Sequence, residues 1–167
     1  MKIRLLLALV GLAFGFALTG FAQQTNTPDQ QTSEQLNALV KKGDEAYNKN
    51  DASAVAALYT KDAVLLTDRG PINGRAAIEK WYADLFKQFH ISNRLSKADE
   101  FHFVSAADQE VWSTGEWSET LQNKKGGPKI QVKGYWAAIK VRDGGVWKER
   151  LETWNVTPDS PAPAPAK

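Results

Sequence analysis

The chain has 167 residues, no cysteine and two histidines, and 43% of its residues are hydrophobic. This length and composition suit one domain with a single core, and the absence of cysteine excludes disulfide and thiol chemistry. His90 and His102 are far apart in the chain, so the sequence indicates no transition-metal site. The glycine pairs at 126–127 and 144–145 are typical of hairpin turns, so we predict no nucleotide cofactor.

Residues 1–22 have the pattern of a secretory signal. Lys2 and Arg4 precede an apolar run at 5–18, and small residues at Gly20 and Ala22 predict cleavage after Ala22. We therefore expect a secreted or periplasmic protein with no stable membrane anchor after cleavage. Removing two basic residues from a formal net charge of +2 leaves a charge near zero. Such a charge argues against nucleic-acid binding and favours self-association, and we expect a homodimer.

The polar segment 23–31 is predicted to be a flexible leader. Thr32 and Gln35 have the spacing of a capping box, which predicts a helix from there to about Asn48. Asp51 is the expected N-cap of a short second helix.

A short apolar run at 63–66 predicts a strand, and the turn residues that follow predict a loop. From Arg75 to about Phe89, apolar residues recur at helical spacing and predict a third amphipathic helix.

The remainder of the domain predicts an antiparallel meander. Segments at 93–105, 109–121, 129–142 and 146–156 are rich in Val, Trp, Phe and Thr and are separated by turn residues. Helices first and strands after indicate an α+β fold in which a curved sheet wraps three helices. We assign residues 32–157 to this domain and residues 158–167, which are rich in Pro and Ala, to a disordered tail.

Several short motifs, taken in order, resemble the NTF2-like superfamily, and most of all its SnoaL-like and DUF4440 groups. The motifs are Tyr59-x-x-Asp62-Ala63-Val64, the turn with Gly74 and Ile78, and the final strands near Trp147 and Trp154. The resemblance implies a cone that encloses a ligand pocket, often in a dimer. Fold alone does not fix function in such a superfamily.

The ketosteroid isomerases of that superfamily use an aspartate base, a tyrosine and a protonated aspartic acid. Counting from the shared motifs, the resemblance places these three roles on Thr67, Gly43 and Ala137. None of these three positions therefore carries an aspartate or a tyrosine. Asp68, one residue after Thr67, is retained as a candidate base. The supporting aromatic positions are filled, by Tyr59, Tyr82 and Trp154.

Simple alternation along the last strand groups Arg150, Glu152 and Trp154 on one face. The resemblance places that face inside, near Tyr135, Trp112 and Glu116. Arg150 could anchor a ligand with Glu152 as a base, or the two could form a structural salt bridge.

The other aromatic residues divide into three groups. We expect Trp81 and Trp147 in the core, and Tyr47, on the apolar stripe of the first helix, at the pocket. Trp117 and Trp136 are expected on the convex face of the sheet. Trp112 and Trp154 are candidates for stacking on a ligand. His102 is interpreted as a strand residue rather than a proton carrier.

The leading hypothesis is an exported protein that binds a small, partly apolar molecule in its pocket and has no assigned reaction. The first alternative is an isomerase, cyclase or hydro-lyase that uses Glu152 or Asp68 as its proton shuttle. The second is a protein-interaction module that uses the tryptophan-bearing face of the sheet.

Overall fold

The computed structural model describes residues 26–104 and 109–158. The predicted signal sequence, the first residues of the leader and the tail from 159 onward lie outside the described residues. Export, cleavage after Ala22 and disorder of the tail therefore stay predictions. Among the described residues, none of the helices combines the length and apolarity that membrane crossing requires.

The described part of the chain contains three helices, as predicted: α1 at Gln30–Lys49, α2 at Ala52–Ala56 and α3 at Arg75–Gln88. Helix α1 begins earlier than predicted because Asp29, rather than Thr32, is its N-cap. The Asp29 carboxylate accepts a hydrogen bond of 2.7 Å from the backbone N–H of Thr32. Asp51 caps α2 as predicted and accepts a bond of 2.9 Å from the N–H of Ala54.

The strands form one curved, mixed sheet that does not close. They are β1 (Tyr59–Thr67), β2 (Gly70–Asn73), β3 (Phe89–Ala98), β4 (His102–Phe103), β5 (Glu110–Asn123), β6 (Ile130–Asp143) and β7 (Val146–Val156). Their order is β2-β1-β7-β6-β5-β3, with β4 also paired to β5. All pairs are antiparallel except β1 with β7. The predicted α+β fold and its C-terminal meander are confirmed.

Two β-bulges change which residues face the helices. In β3, the register shifts between Ser92 and Leu95, and Asn93 has a left-handed φ of 54°. In β7, Leu151 pairs with Ile139 and Glu149 with Lys140, which leaves Arg150 as the extra residue. Because a bulge places two residues opposite one, each strand reverses its alternation at that point.

The concave face of the sheet carries two reciprocal pairs of glycine and tryptophan. Gly115 of β5 pairs with Trp136 of β6, and Trp117 of β5 pairs with Gly134 of β6. Both indoles are buried, and each indole N–H donates to a backbone carbonyl of the opposite strand at 3.3 Å. The prediction that Trp117 and Trp136 lie on the convex face is therefore wrong.

Candidate functional site

A cavity of about 50 Å³ lies between α1 and the concave face of the sheet. We call it the polar cavity because charged and hydroxyl-bearing side chains share its wall. These polar side chains are Asp44, Tyr47, Tyr59, Arg94, Ser96, Lys140, Glu149 and Glu152. Since a water molecule needs roughly 10 to 15 Å³ of such space, the cavity can hold a small polar group of a ligand.

Three buried tyrosine hydroxyls and one carboxylate form a continuous hydrogen-bonded chain at this wall. Tyr47 bonds Tyr82, Tyr82 lies 3.3 Å from the hydroxyl of Tyr59, and Tyr59 donates to Oε2 of Glu152. Burial raises the pKa of all three hydroxyls above its ordinary value, and the charge of Glu152 adds to that effect, although the hydrogen bonds with Tyr47 and Tyr59 act to lower the pKa of Tyr82. The hydroxyls therefore stay protonated at neutral pH.

Lys140 and Glu149 form a second polar group in the cavity. Lys140 is fully buried, and its Nζ lies 3.4 Å from Oε1 of Glu149 and 3.4 Å from the hydroxyl of Ser113. It also lies 4.7 Å from the centre of the Trp136 ring. Among the residues that the structure describes, Oε2 of Glu149 has no hydrogen-bond partner although it is buried.

The pKa of Glu149 is raised to about 7. Burial is the main cause, the charge of Glu152 adds to it, and the ammonium of Lys140 acts against it. A carboxyl group with a pKa near neutrality exists in both protonation states under physiological conditions, which suits a group that exchanges protons.

Arg94 is held in place by two carboxylates and two rings. Its Nη1 lies 2.9 Å from Oε2 of Glu119, and its Nε lies 3.7 Å from Oδ1 of Asp44. The guanidinium carbon lies 4.5 Å from the ring centre of Tyr47 and 4.6 Å from that of Trp117. Burial acts to lower the pKa of Arg94, but Tyr47 and Glu119 outweigh it and the pKa is raised. The Arg94 side chain is therefore a wall of the polar cavity, and Glu119 and Asp44 balance its positive charge.

A second, more apolar cavity of about 130 Å³ lies on the other side of Arg94. We call it the tryptophan pocket because Trp81, Trp117 and Trp154 line it. The Trp154 ring lies 6.0 Å from that of Trp117 and 6.4 Å from that of Trp81. Tyr47 and Arg94 line both cavities, so one ligand can contact both.

Five residues predicted for the pocket lie at one or both cavities: Tyr47, Tyr59, Tyr82, Glu152 and Trp154. Their roles in binding or catalysis stay predictions. Trp81 is half-buried beside the main core, and Trp147 is buried as predicted.

Four other residues predicted for the pocket line neither cavity, so their predicted placement is wrong, whereas their roles stay predictions. Arg150 is exposed, because the bulge in β7 turns it to the convex face. Trp112 and Tyr135 are 43% and 56% exposed, because they alternate with inward residues of β5 and β6. Asp68 is exposed in the turn between β1 and β2 and lines neither cavity. His102 stacks on Trp112, with ring centres 4.4 Å apart.

Residues 40–149 match the family described as SnoaL-like domain. The match covers more than half of the chain. The chain belongs to the SnoaL-like domain family. Comparison with curated protein sequences gives no significant match. Within 26–104 and 109–158, no group of three or more His, Asp or Glu residues is arranged to hold a metal ion.

Solved structures share the fold of this SnoaL-like domain. A ketosteroid isomerase-like protein from Erwinia carotovora atroseptica matches with 20% identity and a TM-score of 0.68, covering 80% of this chain and 100% of that one. A scytalone dehydratase-like protein from Novosphingobium aromaticivorans matches with 18% identity and a TM-score of 0.68, covering 76% and 85%. A hexachlorocyclohexane dehydrochlorinase, LinA-type3, from Novosphingobium barchaimii matches with 16% identity and a TM-score of 0.67, covering 80% and 92%. At these identities, the likeness shows the NTF2-like fold alone.

The SnoaL-like domain carries different chemistry from that of a ketosteroid isomerase at the compared positions. Gly43 lines the polar cavity and brings no side chain to it. Ala137 alternates outward, so the resemblance is displaced by one residue here, and Ala138 lines the cavity instead. The hydroxyl of Thr67 donates to the carbonyl of Gly70 at 2.9 Å. None of these residues supplies an acid or a base.

The polar residues that sequence reasoning missed are Asp44, Arg94, Glu119, Lys140 and Glu149. Two of them carried a usable signal. Lys140 follows Trp136 and Ala138 at strand spacing, and Glu149 follows the predicted core residue Trp147 at the same spacing. Arg94 could not be found in this way, because the bulge at Asn93 decides its direction.

Proposed function

We propose that this SnoaL-like domain binds a small molecule with an apolar ring and a hydroxyl or another hydrogen-bond donor. The ring occupies the tryptophan pocket, and the donor group reaches past Arg94 to Tyr47. The observation that carries this proposal is the hydrogen-bonded chain of Tyr47, Tyr82, Tyr59 and Glu152.

The direction of that chain follows from counting protons. Tyr59 uses its one proton on the Glu152 carboxylate, so the bond between Tyr59 and Tyr82 must be donated by Tyr82. Tyr82 then has no proton left, and Tyr47 must donate to it. The Tyr47 oxygen therefore offers only acceptor lone pairs to a ligand.

Charge compensation at Arg94 points the same way. An uncompensated guanidinium would favour an anionic ligand, but Glu119 and Asp44 already balance this one. The tryptophan pocket offers apolar ring faces instead. Together these features favour a neutral ligand over a carboxylate or a phosphate ester.

The test compares cyclohexanol with its methyl ether, which has the ring but no donor. Binding is followed by tryptophan emission, since three tryptophans line the pocket. We expect the alcohol to bind more tightly than the ether. Tyr47→Phe should weaken alcohol binding roughly threefold to tenfold, the range expected for one hydrogen bond, and should leave ether binding unchanged.

Tyr135→Phe is the matched control, because it makes the same change on the convex face, where Tyr135 is 56% exposed. It should leave the binding of both compounds unchanged. Equal affinity for the alcohol and the ether would refute the donor requirement. The absence of any emission change with either compound would refute binding in the tryptophan pocket.

Two further proposals stand on the sequence. Export to the periplasm or medium rests on the pattern of residues 1–22. Homodimer formation rests on the near-zero charge of the mature chain and on the resemblance to dimeric superfamily members.

A further inference from the structure

We propose that the donor group of the ligand is an organic ammonium, which lies in the polar cavity against Glu149 while the ring occupies the tryptophan pocket. This inference rests on the proposed function, because the same ring has to bind in the same pocket. Compensation of Arg94 favours a neutral ligand over an anion, and the balance of enclosed charges favours a cation over both. Glu149, which the proposed function does not use, becomes a binding residue.

Carboxylates outnumber cations at the two cavities. Within residues 26–104 and 109–158, the carboxylates that line them are Asp44, Glu119, Glu149 and Glu152, and the cations are Arg94 and Lys140. Protonation of one carboxylate still leaves an excess of negative charge. Enclosed charge without a counterion is costly. A ligand that brings a positive charge offsets this cost, whereas a hydroxyl group or a water molecule does not.

The bulge in β7 produces this excess. Arg150 is the extra residue of the bulge and is exposed, so it brings no positive charge to either cavity. Glu149 and Glu152 both line the polar cavity. Simple alternation would put residues 149 and 152 on opposite faces of the sheet, so the bulge is what brings two acids to one cavity.

Acceptors at the polar cavity match the three N–H bonds of a primary ammonium. Oε2 of Glu149 is buried and has no hydrogen-bond partner among the described residues. The Tyr47 oxygen offers only lone pairs, because its proton is donated to Tyr82. The Glu152 carboxylate keeps lone pairs after it accepts from Tyr59. A ligand hydroxyl has one proton and can satisfy only one of these three acceptors.

The aromatic walls of the cavities also suit a cation. The guanidinium carbon of Arg94 lies 4.6 Å from the ring centre of Trp117, and Nζ of Lys140 lies 4.7 Å from that of Trp136. Indole faces attract cations because the face of the ring carries the negative part of its quadrupole. Trp154, which lines the tryptophan pocket, offers a further indole face to a ligand.

An ammonium in the polar cavity is coupled to the protonation of Glu149. The pKa of Glu149 is raised to about 7, mainly by burial. A bound cation favours the ionised carboxylate, so ammonium binding should release that proton and should tighten as the pH rises through about 7. An aliphatic amine keeps its own proton in this range, because its pKa is close to the value of about 10.4 for lysine.

Other charged and titratable groups face the two cavities from every element around them. They are Asp44 and Tyr47 on α1, Tyr59 on β1, Tyr82 on α3, Arg94 on β3, Glu119 on β5, Lys140 on β6 and Glu152 on β7.

Three probes that share a cyclohexyl ring and differ in charge test the inference: cyclohexylmethylamine, cyclohexylmethanol and cyclohexanecarboxylate. Their binding to the protein is followed by tryptophan emission. At about pH 8, we expect the amine to bind roughly tenfold or more tightly than the alcohol, as for a hydrogen bond to a charged group, and the carboxylate to bind most weakly. Between about pH 6 and about pH 8, the affinity for the amine should rise by up to roughly tenfold, and that for the alcohol should stay constant.

Glu149→Gln keeps the shape of the side chain and removes its charge. The ratio of amine affinity to alcohol affinity should fall roughly tenfold, and the rise with pH should disappear. Alcohol binding by this variant reports whether its pocket is folded. Glu116→Gln is the matched control on the convex face, where Glu116 is exposed, and it should leave the ratio unchanged. A purely structural Glu149 would lower stability without changing the ratio.

The order of the three probes and the pH dependence need no variant, so they test the inference even if Glu149→Gln does not fold. Amine binding no tighter than alcohol binding would overturn the inference and leave the proposed function intact. An amine affinity that does not rise with pH, or an unchanged ratio in folded Glu149→Gln, would overturn it as well. Failure of all three probes and of cyclohexanol to bind would refute both proposals.

Discussion

The two faces of the sheet carry the same residue types in opposite environments. The concave face has Trp117, Arg94 and Glu149, all largely enclosed. The convex face has Trp112 and Arg150, both exposed. Of these five residues, only the concave ones make ring contacts with a cation, compensate a neighbouring charge or have shifted pKa values. Enclosure, rather than residue type, distinguishes the candidate site from ordinary surface.

The bulges decide which charges are enclosed. Without the extra residue in β7, Arg150 would alternate inward with Glu152 and Trp154 and would bring a third cation to the cavity, beside Arg94 and Lys140. With it, Glu149 and Glu152 both face inward. The enclosed group is therefore rich in acceptors, which is the property on which the proposed function depends.

The largest expected effect comes from removing the enclosed arginine. Arg94→Met leaves the buried Glu119 and the partly buried Asp44 without their cation, and we expect a loss of about 3 to 5 kcal/mol in the free energy of unfolding. The comparison on the convex face is Arg150→Leu, which should change it by less than about 0.5 kcal/mol. Urea denaturation of both variants measures the difference, and similar losses would break the contrast between the faces.

A smaller effect is expected from Gly115→Ala. A Cβ atom at this position would overlap the carbonyl oxygen of Lys97 and the indole of Trp136, so the sheet or the ring must move. We expect a loss of about 1 to 3 kcal/mol, the usual range for overpacking.

Gly43→Ala is the comparison for that variant, because its Cβ atom would meet only Leu58, at 3.8 Å. In the middle of α1 it should raise the free energy of unfolding by up to about 1 kcal/mol through helix propensity. Thermal unfolding should show that the two substitutions shift the Tm in opposite directions if the enclosed sheet is as tightly packed as described. An unchanged Tm for Gly115→Ala would show that the sheet is not tightly packed at this position.

A further expected effect is a pH dependence of the free energy of unfolding due to Glu149. Its pKa rises from 4.5 to about 7 on folding, so its neutral form stabilises the fold below 4.5 and that contribution is lost as the pH rises through 7. Between about pH 5 and about pH 8, the parent should lose about 1 to 3 kcal/mol relative to Glu149→Gln.

Denaturation curves of both proteins across that range give the slope, which is independent of any constant cost of leaving Lys140 unpaired. A parallel pH dependence of the parent and Glu149→Gln would mean that Glu149 titrates normally.

The sequence was sufficient for the fold because its strongest signals are local. Helical spacing from Arg75, the Asp51 cap and the turns between the last strands all report on short segments. The first helix was misplaced by its cap alone, since Asp29 competed with Thr32 for that role.

The site was predicted only in part. When one residue of a strand is assigned to the wrong face, every later residue of that strand is assigned wrongly as well. Tyr59, Tyr82 and Trp154 were placed through the resemblance, and all three lie at the cavities. Alternation failed at Arg150 because one inserted residue reverses every later assignment. A left-handed Asn93 gives no recognisable signal in a polar segment, so the sequence does not predict that Arg94 faces the cavity.

The reciprocal glycine and tryptophan pairs fix the register between β5 and β6. Both strands contain the same short pattern, Gly115-Glu116-Trp117 in β5 and Gly134-Tyr135-Trp136 in β6, and each indole lies opposite the other strand's glycine. A slip of two residues in one direction would set the two indoles against each other, and a slip in the other would set the two glycines together over a void. A slip of one residue would turn the ring of the slipped strand to the opposite face of the sheet. Only one alignment of these strands satisfies both pairs, so this wall of the cavities resists remodelling, and adaptation to a new ligand is left to the helices that face it.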